Sequence, residues 1–151
     1  AKKYPFSVTT PHSRYRLHSQ LNNSIIRNYA EVSAREPMLI NVNDAKAKGI
    51  ATGDVVRVFN DRGEILVGAL VTDIIPEHVI AICEGAWYDP EVLGEKSLCK
   101  HGCVNVLTRD KGTSSIAQSN CGHTILVNLE KYKGEIKPIT AFSKPKILQS
   151  L

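Results

Sequence analysis

Hydrophobic and polar positions alternate most regularly over residues 49–73, and this stretch predicts a β-hairpin. Residues 55–60 and 64–72 are rich in β-branched side chains, which favour strands. The run Asn60-Asp61-Arg62-Gly63 between them supplies the side chains and the glycine of a tight reversal. We expect Arg62 at this tip to be exposed and remote from any ligand. Because Leu66 and Leu70 make the second face of the later strand apolar as well, we expect protein on both of its faces.

The same patterning predicts further strands at residues 4–9, 38–42, 78–83, 104–108 and 124–130. One short helix is predicted after residue 42, with Asn43 or Asp44 as its N-cap and Gly49 as its left-handed C-cap. A second is predicted from Thr113 or Ser114 to Gln118. Residues 84–102 lack a regular pattern and predict a long loop. Together these elements predict a mainly β barrel.

Composition places the chain among ordinary globular proteins. Its 151 residues can bury a sizeable core, and 42% hydrophobic with 23% charged residues argues against disorder. No apolar run is long enough to cross a bilayer, and the first residues lack the apolar segment of a signal peptide. We therefore expect one domain, and no export or anchoring segment within these residues.

The formal net charge is +4, and several basic residues precede the first acidic residue, Glu31. They are Lys2, Lys3, Arg14, Arg16 and Arg27. Such a segment can contact phosphates, and an ordinary solvated surface is the other interpretation. The interleaved aromatic residues of a platform for single-stranded nucleic acid are missing.

Four cysteines allow three interpretations. Cys99 and Cys103 have a spacing seen in zinc sites, and Cys121 with His123 can complete four ligands, although a second well-spaced pair is missing. A disulfide is the second interpretation. A chain of this length needs no covalent staple, so we expect free thiols, with Cys83 buried.

Residues 12–23 are the most polar stretch of the chain. Imidazole, guanidinium, hydroxyl and amide groups occur there within a dozen residues, without helical or strand periodicity. A polar surface loop is one interpretation. The preceding Pro11 and the density of hydrogen-bonding groups favour a binding loop held by a scaffold.

Six motifs occur in a fixed order along nearly the whole chain. They are Arg16-Leu17-His18-Ser19-Gln20-Leu21 with Glu36-Pro37; Ala45-Lys46-Ala47-Lys48-Gly49-Ile50; Gly53-Asp54-Val55-Val56-Arg57-Val58; Glu84-Gly85-Ala86-Trp87-Tyr88; Val104-Asn105-Val106-Leu107-Thr108; and Lys111-Gly112-Thr113-Ser114 with Ala117-Gln118. Together they resemble the carboxy-terminal domain of the molybdopterin-dependent trimethylamine N-oxide and dimethyl sulfoxide reductases. One departure is Gly102-Cys103, where many of these reductases have Gly-Asp.

The resemblance implies a six-stranded double-psi β-barrel with short helices, which closes over two molybdopterin guanine dinucleotides that carry molybdenum. It implies that residues 1–151 are one cofactor-binding domain, the C-terminal fragment of a larger reductase. It implies neither a catalytic residue nor a metal ligand in this chain. The implied cofactor contacts are His12, His18, Ser19, Gln20, Asn105, Gln118, Gly122 and His123. Amides and imidazoles, with Arg14 or Arg16 nearby, supply the donors, acceptors and positive charge that a pterin and a pyrophosphate need.

The implied activity belongs to the full-length bacterial enzyme of anaerobic respiration, which removes oxygen from an N-oxide or S-oxide, with trimethylamine N-oxide favoured. The isolated domain is expected to be inactive. The implied partners are the remaining domains, a cytochrome-type electron donor and the small oxide, with no nucleic acid and no membrane insertion. The implied location is the periplasm. We expect the remaining domains to cover Trp87 and the loop around it.

A free-standing small β-barrel is the alternative. It would bind a partner protein or nucleic acid through the basic N-terminal segment, and its affinity for a polyanion would fall steeply as salt rises.

Overall fold

The computed structural model describes residues 3–94 and 97–144, which form a closed six-stranded barrel. The strands are β1 (Phe6–Thr9), β2 (Pro37–Asn41), β3 (Val55–Phe59), β4 (Glu64–Thr72), β5 (Val79–Ile82) and β6 (Ile125–Lys131). Their order around the barrel is β1-β5-β2-β4-β3-β6. The described residues add one α-helix, α1 (Val42–Lys48), and two 3₁₀ helices, Ile25–Tyr29 and Val104–Leu107. The prediction of a mainly β, six-stranded barrel is confirmed.

The sheet is mixed. Strands β1 and β5 pair in parallel, as do β2 and β4, and the other four pairs are antiparallel. Two consecutive strand pairs, β1 with β2 and β5 with β6, are not neighbours in the barrel, so the connecting residues 10–36 and 83–124 must pass across an intervening strand. In the described part of the chain, no helix is long and apolar enough to span a bilayer.

The predicted hairpin is confirmed as strands β3 and β4, paired from Val55 with Gly68 to Phe59 with Glu64. Alternate residues Ile65, Val67 and Ala69 point into the barrel and are fully buried. Leu66, on the outer face, is buried in a second cluster with Val55 and Leu98.

Leu70 is 39% exposed, so the expectation of protein on both faces of this strand is wrong at its far end. The outer cluster that covers Leu66 does not reach that position.

The tip of the hairpin is not a free turn. The Arg62 guanidinium donates to the Leu107 carbonyl at 2.7 Å, and Asn60 Nδ2 donates to the same oxygen at 3.0 Å. The expectation that Arg62 is exposed and remote is therefore wrong. These contacts tie the tip to the 3₁₀ helix Val104–Leu107.

Helix α1 has the predicted C-cap and a different N-cap. Gly49 is left-handed, with φ of 64°. Asn41 caps the amino end, because its side chain accepts a hydrogen bond from the Asn43 amide at 2.8 Å. Neither Asn43 nor Asp44 is the cap: strand β2 runs directly into the helix, so the capping position falls earlier. Asp44 is buried and accepts from the His78 amide at 2.7 Å instead.

Two further local predictions are wrong. Residues 104–108 form no strand but a 3₁₀ helix, in which Val104 and Leu107, three positions apart, are both buried. Residues 113–118 form no helix. There the Ser114 hydroxyl accepts from the Ile116 and Ala117 amides, and this local turn competes with a helical hydrogen-bond ladder.

All four cysteines are free thiols. Cys99 and Cys103 are the buried pair, and burial together with the neighbouring Cys99 raises the pKa of Cys103 to about 11. Cys83 is only half-buried, so the expectation for it is wrong. It lies just after the end of β5, where the barrel wall has ended.

Candidate functional site

The topology collects the polar excursions at one end of the barrel. Strands β1 and β5 are parallel and end side by side, and β6, antiparallel to β1, begins there. Strand β3, antiparallel to β6, ends there too, which adds the hairpin tip. We call this the loop end. Residues 10–36, 60–63 and 83–124 therefore start or finish around one opening, although they are far apart in sequence.

A cavity of about 500 Å³, the site cavity, lies among these loops. Its lining is Thr10, His12, His18, Glu84, Asn105, Thr108, Arg109, Asn120, Cys121, Gly122 and His123. A cavity of this size suits a small molecule or part of a cofactor. An open groove of about 550 Å³ on the outside of β3 and β6 contains none of the predicted contact residues.

Three side chains form a compact cluster in the site cavity. The Nδ1 atoms of His12 and His18 each lie 2.9 Å from Glu84 Oε1. The two imidazole rings meet edge to face, with centroids 5.1 Å apart. Burial raises the pKa of Glu84, but hydrogen bonds from His18 and His12 outweigh burial, so its pKa lies below its usual value. Glu84 is therefore the anion around which both imidazoles are oriented.

The ligand atoms of this cluster lie within 4.8 Å of one another, close enough to hold one metal ion. Two imidazole nitrogens and a carboxylate oxygen suit a divalent transition metal. The same imidazoles can donate to phosphate or pterin groups. The cluster can thus serve a metal or an anionic ligand, but not both through the same atoms.

Arg16 holds the loop that carries His18. Its Nε donates to the His18 carbonyl at 3.1 Å, and one terminal nitrogen donates to the Glu84 carbonyl at 2.6 Å. The other terminal nitrogen donates to Glu36 Oε2 at 2.9 Å, in an ion pair whose side chains are 4% and 2% exposed. Burial raises the pKa of Glu36, and the bond from Arg16 offsets only part of that effect. One buried guanidinium thus fixes both sides of the cluster.

Gly85 permits the close approach of these loops. Its φ is 93°, and a Cβ added there would lie 1.9 Å from the His18 carbonyl oxygen. Two residues later, Trp87 Nε1 donates to the Ser19 carbonyl at 2.9 Å. Residues 84–87 therefore form the platform on which the 16–20 loop rests.

The opposite wall comes from the 3₁₀ helix Val104–Leu107 and the segment before β6. Asn105 is exposed to the cavity while Val104 and Leu107 anchor the helix in the core. Arg62 and Asn60 hold the Leu107 carbonyl, so the hairpin tip supports this wall from behind. His123 Nδ1 lies 3.4 Å from the Thr10 hydroxyl, which closes the wall against the end of β1.

Five of the predicted contacts line the site cavity: His12, His18, Asn105, Gly122 and His123. Three do not. Ser19 and Gln20 are exposed just beyond His18, and Gln118 lines an adjoining groove of about 270 Å³ that shares Arg109 and Asn120 with the site cavity.

Sequence reasoning missed five lining residues and considered a sixth, Cys121, only as a zinc ligand; the five are Thr10, Glu84, Thr108, Arg109 and Asn120. Glu84 stands first in the Glu84-Gly85-Ala86-Trp87-Tyr88 motif, and an acidic residue directly after a predicted strand was a usable signal. Arg109 and Asn120 lie in irregular segments with no periodic signal.

The four residues proposed as zinc ligands do not come together. Cys121 and His123 line the site cavity, whereas Cys99 and Cys103 are buried in the core cluster. Within residues 3–94 and 97–144, the one group with metal-ligand geometry is His12, His18 and Glu84. The cysteine-based zinc hypothesis is therefore wrong.

The basic N-terminal segment is largely paired. Lys3 lies 2.5 Å from Asp61, Arg16 pairs with Glu36, and the Arg27 Nε lies 3.2 Å from Glu31. Lys2 lies outside the described residues. Arg14 is exposed and appears in none of these pairs. The three pairs reduce the free positive charge on which the alternative of a polyanion-binding barrel depends.

Comparison with known proteins gives a family match. A protein-family model described as "Molydopterin dinucleotide binding domain" matches residues 6–126. The chain is 50% identical over 147 residues to the trimethylamine-N-oxide reductase of Haemophilus influenzae, covering 96% of this chain and 18% of that protein. It is 54% identical over 145 residues to the dimethyl sulfoxide/trimethylamine N-oxide reductase of Cereibacter sphaeroides, covering 95% of this chain and 18% of that protein.

A solved structure shares the fold. Acetylene hydratase from Pelobacter acetylenicus superposes with a TM-score of 0.66 at 19% identity, covering 87% of this chain and 19% of that one. At this identity the likeness concerns the fold alone. The chain spans less than a fifth of the length of the two reductases and about a fifth of that of the hydratase.

Proposed function

Because the chain belongs to the molybdopterin dinucleotide binding domain family, we propose that its site cavity encloses part of a molybdopterin guanine dinucleotide. The observation that carries the proposal is the convergence of five predicted contact residues on one cavity, together with Arg109. A pyrophosphate needs positive charge and donors, and a pterin or guanine edge needs both donors and acceptors. The lining offers a guanidinium, imidazoles, amides and hydroxyls, so the residues present fit this group.

The residues that line the site cavity fall into groups according to the part of the cofactor that each can bind. Arg109 and the imidazoles of His12, His18 and His123 suit phosphate oxygens, whereas the amides of Asn105 and Asn120 suit the ring edges. Gly122 carries no side chain and lets the backbone approach the ligand. When bound, the cofactor would supply the oxygen-transfer and electron-transfer chemistry of its molybdenum. The chain's own residues bind the cofactor, orient it and exclude water around it.

We further propose that the chain is the C-terminal domain of a larger reductase, in line with the small fraction of the reductase relatives that it spans. The substrate of that enzyme would be an N-oxide or S-oxide, with trimethylamine N-oxide favoured by the names of those relatives. A cytochrome-type donor would supply electrons in the periplasm. The remaining domains would provide the metal ligand and the substrate channel.

The surface that best fits those domains is an apolar face on residues 15–29. Six large apolar side chains are exposed there: Tyr15, Leu17, Leu21, Ile25, Ile26 and Tyr29. The rings of Tyr15 and Tyr29 stack with centroids 6.3 Å apart, which joins the two ends of the segment. An exposed apolar patch of this kind marks an interface. Leu17 of this face directly precedes His18, which lines the site cavity.

The sequence expectation places the remaining domains over Trp87 and the loop around it. The Trp87 indole is half-buried and packs on Phe142 of the same chain, with ring centroids 5.6 Å apart. Tyr88, Val92 and Leu93 of the same loop are 48%, 48% and 85% exposed, so this loop also offers apolar surface to the remaining domains.

Alanine substitution in the full-length reductase tests the site. His18→Ala and Asn105→Ala should each lose about 1–3 kcal/mol of cofactor binding, because a cofactor group is left unpaired away from water. Gln20→Ala and Gln118→Ala should lose less, since neither side chain lines the site cavity. Molybdenum and guanine nucleotide per protein are measured for each purified variant.

Lys46→Ala is the matched control for these variants. Lys46 is exposed on α1, which follows β2 at the barrel end opposite the site cavity. Arg62 is unsuitable as a control because it supports the cavity wall. Full cofactor content in both His18→Ala and Asn105→Ala would contradict the proposal.

A further inference from the structure

After β6 the chain folds back along the outside of the barrel. This C-terminal strap, residues 132–144, lies beyond the part of the chain that the family model matches. The Thr140 amide and hydroxyl donate to the two carboxylate oxygens of Asp89 at 2.8 and 2.6 Å. Lys100 Nζ donates to the Thr140 hydroxyl at 2.9 Å, and Arg35 donates to the Lys137 carbonyl at 3.1 Å. Asp89 and Lys100 are both buried, so the strap is tied to the long 84–102 loop.

Phe142 near the end of the strap enters a cage of three side chains. Its ring centroid lies 4.1 Å from the Arg27 guanidinium carbon, 4.9 Å from the His101 ring and 5.6 Å from the Trp87 ring. The cage is itself fixed, because Glu31 lies 2.9 Å from His101 Nε2 and 3.2 Å from Arg27 Nε. Phe142, which is half-buried, therefore packs among these three side chains and against the Trp87 indole.

The Trp87 indole connects Phe142 to the loop that lines the site cavity. The Trp87 indole N–H donates to the Ser19 carbonyl, and Ser19 directly follows the cavity-lining His18. The His18 carbonyl rests against Gly85, where a Cβ would approach to 1.9 Å, so the loop has little freedom to move independently. A displaced indole would remove the bond to the Ser19 carbonyl, so that the His18–Ser19 segment would be held by the bond from Arg16 to the His18 carbonyl and by Glu84.

We propose that Phe142 is a positioning residue for the site cavity: it holds the Trp87 indole in the orientation that fixes Ser19 and His18. The consequence for the cofactor rests on the proposed function. The positional effect itself does not, and it is measured without cofactor.

The first experiment is amide hydrogen exchange followed by NMR on the 151-residue chain. Phe142→Ala should speed exchange of the Gln20 amide, which donates to the Leu17 carbonyl across Ser19, by about tenfold, the effect of losing an aromatic pair worth roughly 1.4 kcal/mol. Exchange in β3 and β4 should stay unchanged. Ile136→Ala is the control, because Ile136 is an exposed apolar residue on the same strap that does not enter the Phe142 cage.

Two further variants separate positioning from general stability. Phe142→Tyr keeps the ring and should restore slow exchange of the Gln20 amide. Trp87→Phe keeps most of the indole packing but removes the donor to Ser19, so it should reproduce the Phe142→Ala effect. Adding Phe142→Ala to Trp87→Phe should then add little, as expected for two residues acting through one hydrogen bond.

Unchanged exchange of the Gln20 amide in both Phe142→Ala and Trp87→Phe would overturn the proposal. So would an equal rise in exchange throughout the barrel, or additive effects in the double variant. The same substitutions in the full-length reductase, scored by molybdenum and guanine content, test the proposed function separately. Faster loop exchange with full cofactor content would leave the positioning role of Phe142 intact and contradict the cofactor role of this loop.

Discussion

The buried ion pair between Arg16 and Glu36 offers the sharpest test of how the 16–20 loop is held. Replacing Arg16 with Met keeps most of the side-chain volume and removes the charge. Glu36, 2% exposed, would then be buried without its partner. Breaking such a pair from one side costs about 3–5 kcal/mol of unfolding free energy. At an m-value of about 2 kcal/mol per M, the urea midpoint would fall by about 1.5–2.5 M.

The loss should depend on pH. Burial raises the pKa of Glu36 above its value in the unfolded chain. At pH values between the two pKa values the folded state binds more protons than the unfolded state, so stability falls as the pH rises through this interval. Removing Arg16 takes away the bond that lowers this pKa, which widens the interval towards higher pH. Towards pH 4.5 more of the variant's Glu36 is protonated, so the loss of stability should shrink towards the cost of the missing donors to the His18 and Glu84 carbonyls and to Glu36, about 1–2 kcal/mol.

The assay is urea unfolding of the parent chain and Arg16→Met at pH 4.5 and pH 7, with Arg16→Met/Glu36→Gln as the matched control. The double variant has no carboxylate at position 36, so its loss at pH 7 should return to about 1–2 kcal/mol. An equal loss at both pH values, or a loss below about 1 kcal/mol at pH 7, would refute the reasoning.

Three further predictions concern separate elements. Gly85→Ala should destabilise the chain by about 1–3 kcal/mol more than Gly53→Ala in thermal unfolding. Both glycines have φ of 93°, but of the two only Gly85 lies against a neighbouring carbonyl. Equal losses of stability in the two variants would contradict this close approach. Asn41→Ala should cost about 1–2 kcal/mol in urea unfolding, whereas Asn43→Ala, which loses only an exposed bond to Glu77, should cost less than about 0.5 kcal/mol. At pH 8 a thiol reagent should modify Cys121 first and Cys83 more slowly, since burial raises the pKa of Cys83, and it should reach Cys99 and Cys103 only after unfolding. Four reactive thiols in the native chain would contradict this order.

Local sequence signals predicted the elements that depend on neighbouring residues. The β3–β4 hairpin follows from two β-branched runs around one turn, and the end of α1 follows from Gly49. The same reasoning gave wrong predictions for residues 104–108 and 113–118. Their conformation depends on burial against the barrel in the first case and on a serine turn in the second, and neither was visible in the periodicity.

The candidate site divides in the same way. The sequence marked His12, His18, Asn105 and His123 as binding residues, through the density of polar groups and the resemblance to a reductase family. The resemblance did not indicate that Gln118 lines a different groove, or that Arg62 supports the cavity wall. Both facts depend on how loops that are distant in the sequence pack against one another.

The amino-acid sequence by itself determined the β-rich patterning, the hairpin, the end of α1 and the family motifs. Each of these signals is carried by residues that are close together along the chain. Only the tertiary structure decided that Glu84 orients His12, 72 residues away, and that Phe142 packs against Trp87. The parallel pairing of β1 with β5 places the ends of both strands side by side, so segments distant in sequence meet at one opening. Such contacts arise from barrel closure, and barrel closure is a property of all six strands together.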